Sequence, residues 1–459
     1  MNLYIKSQRN NNMQNTSLDK FRKIKPLFNS NEAVIEASRC LFCHDAPCIQ
    51  ACPTSIDIPM FIRQIMTKNT NGAAKTIFTQ NILGKSCGDV CPTSVLCEGA
   101  CVYNHLNEKP IEIGRLQAYA TNDAIENNIR FFEKGKKTNK KIAVIGGGPA
   151  GLACAHELTI LGHDVTVFDA NETAGGLNTY GVAPYKFTNK DSEKEIKYIK
   201  SIGFEIKTNT KITTEGKNTG NNVLLSDLEK NHDAIFIGTG LGKTKKTGIT
   251  GETLKGVYGA TEFIYELRKK EQKVDSGKNV VVIGGGNTGI DAAVESALLG
   301  SDVTMVYRRS EGDLNAYDFE VQHAREKGVK FLFLSSPVEI IGKERVEGIK
   351  FIKNTIERNK SNTNSKPEIK SVSGTEYTIN CDRVIIATGQ EKQTDFLKGI
   401  QNLKLETGKI IVNKDFQTSN PKYFAGGDCI NGGKEVVNAA ADGRDAARGI
   451  HKFLMKGRM

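Results

Sequence analysis

The chain has 459 residues, enough for two or three domains with separate cores. Its 38% hydrophobic and 25% charged content is that of ordinary soluble proteins and excludes wholesale disorder. No run approaches the roughly eighteen consecutive apolar residues of a membrane helix. The net charge of +11 is spread along the chain, with no basic cluster interleaved with aromatics; it points away from nucleic acid and toward a solvated surface that attracts phosphate-bearing cofactors.

Residues 1–30 open on a polar stretch without the apolar core of a signal peptide, and are expected to form a flexible lead-in to a cytoplasmic protein. Residues 31–133 read as mostly helical. After Asp57, the residues Ile58, Phe61, Ile62, Ile65 and Met66 fall on one helical face, and Pro59 suits a first turn. Eight of the eleven cysteines lie between Cys40 and Cys101, while Cys154, Cys381 and Cys429 are isolated and read as small buried residues. Without an export signal, metal binding outranks a disulfide framework. The spacing is C-x2-C-x4-C-x3-C-P from Cys40 through Cys43 and Cys48 to Cys52, followed by Cys87, Cys91, Cys97 and Cys101. Structural zinc usually takes paired C-x2-C knuckles, and only Cys40 and Cys43 make one. Cys-Pro endings with mixed spacings match a ferredoxin run, whose last cysteine crosses to another cluster. Two [4Fe–4S] clusters therefore fit better than a zinc-binding scaffold, the alternative from a different class.

A basic segment, KGKKTNKK (134–141), reads as a linker. Directly after it comes KIAVIGGGPAGLACAHELTILGHDVTVFDA, and the pattern returns at 279 as NVVVIGGGNTGIDAAVESALLGSDVTMVYRR. Strand, glycine-rich turn, helix and second strand recur, which is the mark of two Rossmann-like units. Each has a downstream strand ending in a glycine turn, AIFIGTG (234–240) and VIIATGQ (384–390). The stretch 354–374 reads as a polar loop. The expected architecture is α/β: a helical iron–sulfur domain (31–133), a first nucleotide-binding domain in two parts (134–247 and 392–459), and a second inserted within it (248–391).

In the first turn Gly146, Gly148 and Gly151 form G-x-G-x-x-G, which permits the tight turn, a close pyrophosphate and close helix packing. Twenty-three residues after Gly146 stands Asp169, placed to accept hydrogen bonds from ribose hydroxyls. The second turn has Gly284, Gly286 and Gly289, and the position equivalent to Asp169 is Tyr307, followed by Arg308 and Arg309. Two guanidinium groups in place of an acid lean toward a ribose 2′-phosphate, with NADH still open. Two different dinucleotide sites point to a flavin reductase. The Gly426-Gly427-Asp428 turn can bring a carboxylate and N–H groups to the flavin's ribityl-phosphate end. Cys154 stands alone in its turn-helix, without a C-x4-C partner, which argues against a disulfide reductase.

Together RCLFCHDAPCIQACPTSIDI, NGAAKTIFTQNILGKSCGDVCPTSVLCEGAC, IEIGRLQAYA, GGLNTYGVAPYKF and AGGDCINGGKEVVNAAADGRDAA resemble the N-terminal half of dihydropyrimidine dehydrogenase. The likeness is to the small flavin subunit of its two-subunit bacterial form, with the glutamate synthase small subunit a close relative; it spans roughly residues 25–459. The resemblance implies one cluster on Cys40, Cys43, Cys48 and Cys101, and a second on Cys52, Cys91 and Cys97 with the Gln117 side-chain oxygen. Cys87 is then spare. Glutamate synthase-like chains carry an acid at Gln117, so the glutamine favours the pyrimidine branch. The resemblance further implies FAD at Gly146, Gly148, Pro149, Ala150, Gly151, Asp169, Gly176, Leu177, Lys186, Gly427 and Asp428. The nicotinamide nucleotide would meet Gly286, Asn287, Thr288, Arg308, Arg309, Ala387, Thr388 and Gly389. No side chain is assigned as acid or base. Single-chain NADPH enzymes carry another basic residue shortly after the Arg pair, where this chain has SEGDLNAYD, so the nucleotide stays open between NADH and NADPH. The barrel that binds FMN and pyrimidine does not follow, so an FMN-containing partner is expected.

Overall fold

The computed structural model describes residues 23–271, 273–358 and 367–456. In the first unit, helix Ile58–Met66 starts where the Asp57 carboxylate accepts the Met60 N–H at 3.1 Å, filling one of the orphan donors of a helix start. It turns Ile58, Phe61, Ile62 and Ile65 inward, each burial contributing about 1.5–3 kcal/mol. Helices Thr70–Gln80 and Ile113–Glu126 pack against it, and on the latter packs helix Gly84–Val90. The last two approach closely because Gly88 has no side chain: a Cβ there would lie 2.8 Å from the Ala118 nitrogen and the Gly114 oxygen.

The expected flexible lead-in falls mainly on residues 1–22, outside the described residues. From Lys23 onward it is corrected. Lys23 pairs with Asp89 and Asp191 at 2.8 Å each, the Ile24 N–H donates to the Tyr185 carbonyl, and Arg115 Nε donates to the Pro26 carbonyl. This strip thus ties the helical unit to the unit that follows. The basic segment after residue 133 is likewise no free linker. The Gly135 and Thr138 N–H groups donate to the Thr159 and Gly162 carbonyls, and Thr138 Oγ1 meets His163 Nδ1 at 2.8 Å.

Both Rossmann-type units form as expected, each around a five-stranded parallel sheet. In the first, strand Lys141–Ile145 lies between Asp164–Phe168 and Ala234–Ile237; Glu205–Lys207 and Tyr423–Ala425 form the edges. In the second, Asn279–Ile283 lies between Asp302–Val306 and Arg383–Ile386, with Lys330–Leu332 and Val257–Gly259 outside. The central strands read as near-continuous apolar runs because helices cover both faces. The second sheet lies in the chain between Ala234–Ile237 and Tyr423–Ala425, so the second unit is inserted in the first. Helix Val436–Met455 then crosses back over helix Pro149–Ile160, sharing its core with Phe78, Leu83, Cys87 and Cys91 of the helical unit.

Of the polar loop expected over 354–374, residues 359–366 lie outside the described residues, and 354–357 and 368–371 are a correction. Residues 354–357 end the long strand Gly348–Glu357, which pairs antiparallel with Glu368–Ser371 in a small sheet that also holds Ser335–Ile341 and Tyr377–Asn380. Both limbs are largely exposed there, so their side chains carry little of the alternation that marks a half-buried strand.

Candidate functional site

The first glycine turn opens into a cleft of about 1300 Å³. Gly146 has φ 99°, and a Cβ there would meet the Gly238 oxygen at 2.4 Å; at Gly151 one would lie 1.9 Å from the Gly146 oxygen. At Gly148, by contrast, the nearest atom outside its own chain neighbours is Gly176 Cα at 3.7 Å. That glycine therefore leaves room in front of the N-terminus of helix Pro149–Ile160, where a pyrophosphate fits. Gly146, Pro149, Ala150, Asp169, Gly176, Leu177, Gly427 and Asp428 all line the cleft. The Asp169 carboxylate accepts the Gly147 and Asn171 N–H groups at 2.8 Å each, and burial pushes its pKa up. At the far end, Asp442 accepts the Gly427 N–H at 3.0 Å and Asp428 accepts that of Lys434 at 3.1 Å. A groove of this size with a side-chain-free phosphate cradle and a terminal acid fits FAD.

Lys186 departs from the expected set. It does not line the cleft; its ammonium is buried between Asp291 and Glu320 of the second unit at 2.7 Å each. Tyr185 Oη donates to the same Asp291 at 2.6 Å. Two carboxylates facing one cation inside the protein hold a proton, so burial pushes Glu320 up to about 7 while Lys186 is raised by its two partners. The lysine binds the two units together.

In the second turn Gly284 has φ 140°, and a Cβ there would meet the Ala387 oxygen at 2.3 Å, whereas one at Gly286 would find nothing within 4 Å. Gly289 packs on Ala387, and Thr288, Thr388 and Gly389 are exposed beside it. The turn fits a second pyrophosphate at the start of helix Asn287–Leu298. Asn287 Oδ1 is engaged with the Tyr317 N–H at 3.1 Å. Arg308 is exposed, and Arg309 donates from Nε to the Pro367 carbonyl. None of these residues lines the large cleft.

The thiols separate into two sets. Cys40 and Cys48 are pushed up by burial and then by each other's neighbours: Cys40 by Cys43 and Cys101, Cys48, to about 12, by Cys40 and Cys101. Cys91 is pushed up by a hydrogen bond with Cys87, by burial and by Cys52; Cys97 by burial, then Glu98, Cys91 and Cys52. Among the described residues no three cysteine, histidine or acidic side chains converge on one point for a single ion. A four-iron cluster instead gives each thiolate its own iron. Gln117 is buried against the helix carrying Cys87, and its Nε2 donates to the Gly84 carbonyl at 2.7 Å, which leaves Oε1 as its other polar end.

Sequence reasoning missed the junction. Glu435 lines the cleft, receives the Tyr317 hydroxyl at 2.7 Å, and lies near enough to Cys91 for its charge to raise that thiol. Tyr180 and Tyr265, one from each Rossmann unit, stack at 4.9 Å on the cleft wall. Glu435 begins a Glu-x-x-Asn capping box with Asn438, a readable helix start, but nothing in the sequence pairs it with Tyr317.

Residues 140–443 match the pyridine nucleotide-disulphide oxidoreductase family. The chain belongs to that family. Residues 17–129 match dihydropyrimidine dehydrogenase domain II, 4Fe-4S cluster, so an iron–sulfur domain precedes the oxidoreductase unit. The family's disulphide has no counterpart at the first turn, since Cys154 is fully buried in its helix. Among similar proteins, the glutamate synthase [NADPH] small chain of Escherichia coli (strain K12) is 35% identical, covering 95% of this chain and 94% of its own. The NAD-dependent dihydropyrimidine dehydrogenase subunit PreT of the same organism is 33% identical, covering 94% and 97%. The expected resemblance to both therefore stands. Among solved structures, Mycobacterium tuberculosis FprA in complex with NADPH aligns with TM-score 0.57 at 20% identity, over 70% of this chain and 85% of its own. The thioredoxin reductase of T. acidophilum aligns with TM-score 0.53 at 22% identity, over 68% and 98%. These two share the fold. No helix among the described residues is long and apolar enough to cross a membrane.

Proposed function

We propose that the chain is the electron-input subunit of a dihydropyrimidine dehydrogenase, working reversibly between NAD(P)H and an FMN-containing partner that reduces uracil or thymine. Bound FAD and two [4Fe–4S] clusters would supply the chemistry, a two-electron acceptor feeding one-electron carriers. The observation that carries this reading is the order of the sites. Cys87 and Cys91 share a core with the flavin-type unit, Cys40, Cys48, Cys97 and Cys101 share another, and Cys52 touches both.

The chain's own part is positioning. The first turn presents N–H groups to a pyrophosphate, Asp169 is held by two backbone N–H groups at the ribose end, and Tyr317 with Glu435 sets the second unit against the cleft. Purified protein is expected to carry flavin and acid-labile sulfide, to reduce a dye with NADH or NADPH, and to co-purify with an FMN protein. Zinc without sulfide, or no dye reduction with either nucleotide, overturns the reading.

The second reading is a glutamate synthase small subunit or another NAD(P)H:ferredoxin-type subunit, favoured by the 35% identity to the Escherichia coli small chain. Gln117 leans toward the pyrimidine branch. Replacing it with Ala should disturb one cluster, seen in its electron paramagnetic resonance signal, and the flavin content of the co-purified partner separates the two readings.

A further inference from the structure

We propose that Glu435 and Tyr317 set the reduction potential of the iron–sulfur cluster that Cys91 would hold, Glu435 as a fixed negative charge and Tyr317 as the hydrogen-bond donor that offsets it. The proposal rests on the cluster and flavin sites of the proposed function. Both are positioning residues, since neither is assigned as a ligand.

The helical unit and both Rossmann units meet at this point. Glu435 lines the flavin-type cleft and precedes helix Val436–Met455, and its N–H donates to Asn438 Oδ1 at 3.3 Å. Val437 is buried in the same core as Cys91. Glu435 is also one of the charges that push the Cys91 thiol up, after a hydrogen bond with Cys87, burial and the charge of Cys52. The carboxylate therefore faces both the cleft and the thiol. Tyr317 comes from the second Rossmann unit. Its hydroxyl donates to Glu435 Oε1 at 2.7 Å, and its N–H donates to Asn287 Oδ1 of the second glycine turn at 3.1 Å. Burial and then Glu435 push the Tyr317 hydroxyl up, so it stays a donor. Its ring stacks on Phe319, with centroids 5.9 Å apart and planes 6° apart. The Lys25 ammonium lies 5.9 Å from the centre of that second ring, and donates to the Cys91 carbonyl and to Thr93 Oγ1 at 3.3 Å each.

An electron added to a cluster makes it more negative. A nearby carboxylate opposes that change, and a hydrogen bond to the carboxylate relieves the opposition. A cation at the ligand's carbonyl favours it. These groups are partly buried, so salt screens them less than it screens surface charges. Because Tyr317 is anchored at the second glycine turn, the seating of the nucleotide unit bears on a cluster held by another unit.

The test is an electrode-poised redox titration of the full chain with its cofactors, followed by electron paramagnetic resonance. Glu435→Gln should raise the potential of one cluster by about tenfold in its reduction equilibrium, or about 59 mV for one electron. Glu435→Asp keeps the charge and should restore most of the wild-type value. Tyr317→Phe and Lys25→Gln should each lower the same potential by about threefold. The other cluster should hold its potential in every variant. Lys370→Gln removes an exposed charge paired with Glu357 and should move neither cluster. A lowered or unmoved potential in Glu435→Gln, or a raised or unmoved one in Tyr317→Phe, overturns the proposal while the clusters and flavin stand. Protein with no cluster signal overturns the cluster reading along with it.

Discussion

In both Rossmann units the first strand runs into a glycine whose φ side chains rarely adopt, 99° at Gly146 and 140° at Gly284, and a third glycine lets the helix close on the strand. The backbones are copies, yet the surroundings differ. The first turn lies inside a large cleft walled by both units, with Asp169 at its end; the second is open, with Tyr307 closing its own turn and cations outside it. A repeat of backbone geometry thus sets what part of a ligand is held, and its surroundings set which ligand and how tightly. The enclosed turn suits a resident cofactor and the open one a substrate that comes and goes.

The sharpest way to break the comparison is Gly148→Val. The side chain has room in the protein but fills the pyrophosphate's place, and losing two or more phosphate hydrogen bonds at about 1.5–3 kcal/mol each should leave purified protein without flavin absorbance. Retained flavin would show that the first turn is not its site. Next comes the junction. Lys186→Met strands Asp291 and Glu320 in the interior and should cost about 3–5 kcal/mol in denaturant unfolding, with the two units losing their shared transition. Gly286→Val should weaken nucleotide binding by on the order of tenfold to a hundredfold in titrations while flavin content holds, a smaller effect because the open turn lets the valine lean away.

The smallest expected effect is a pH slope. Glu320 is raised from the ordinary glutamate value of 4.5 to about 7, so the folded protein holds a proton that the unfolded chain releases. Its contribution to stability is complete below about pH 4.5 and is lost as pH rises through about 7. Glu320→Gln should flatten that part of the stability profile, measured by thermal unfolding across the window. An unchanged profile would mean that Lys186 alone sets the charge balance there.

Much of this was legible in the chain. The two glycine fingerprints, Asp169, the buried strands and the inserted order follow from local patterns, because a tight turn and a parallel strand each demand particular residues within a few positions. Where reading failed, the interaction was remote. Lys186 stood in a stretch expected to face flavin, yet its partners are Asp291 and Glu320, more than a hundred residues on. Residues 23–29 looked like a lead-in, and their anchors Asp89, Arg115, Tyr185 and Asp191 have no local mark. The antiparallel pairing of Gly348–Glu357 with Glu368–Ser371 was hidden because exposed strands need no apolar alternation.

The sequence by itself determined the family, the two turns and the cysteine inventory, since each depends on residue type at short spacing. Only the tertiary structure decided that Glu435 and Tyr317 meet beside Cys91, and that Arg358 comes to the turn of Arg308. Such contacts form when packing brings distant segments together, and hydrogen bonds and ion pairs act over a few ångströms of space whatever the distance along the chain.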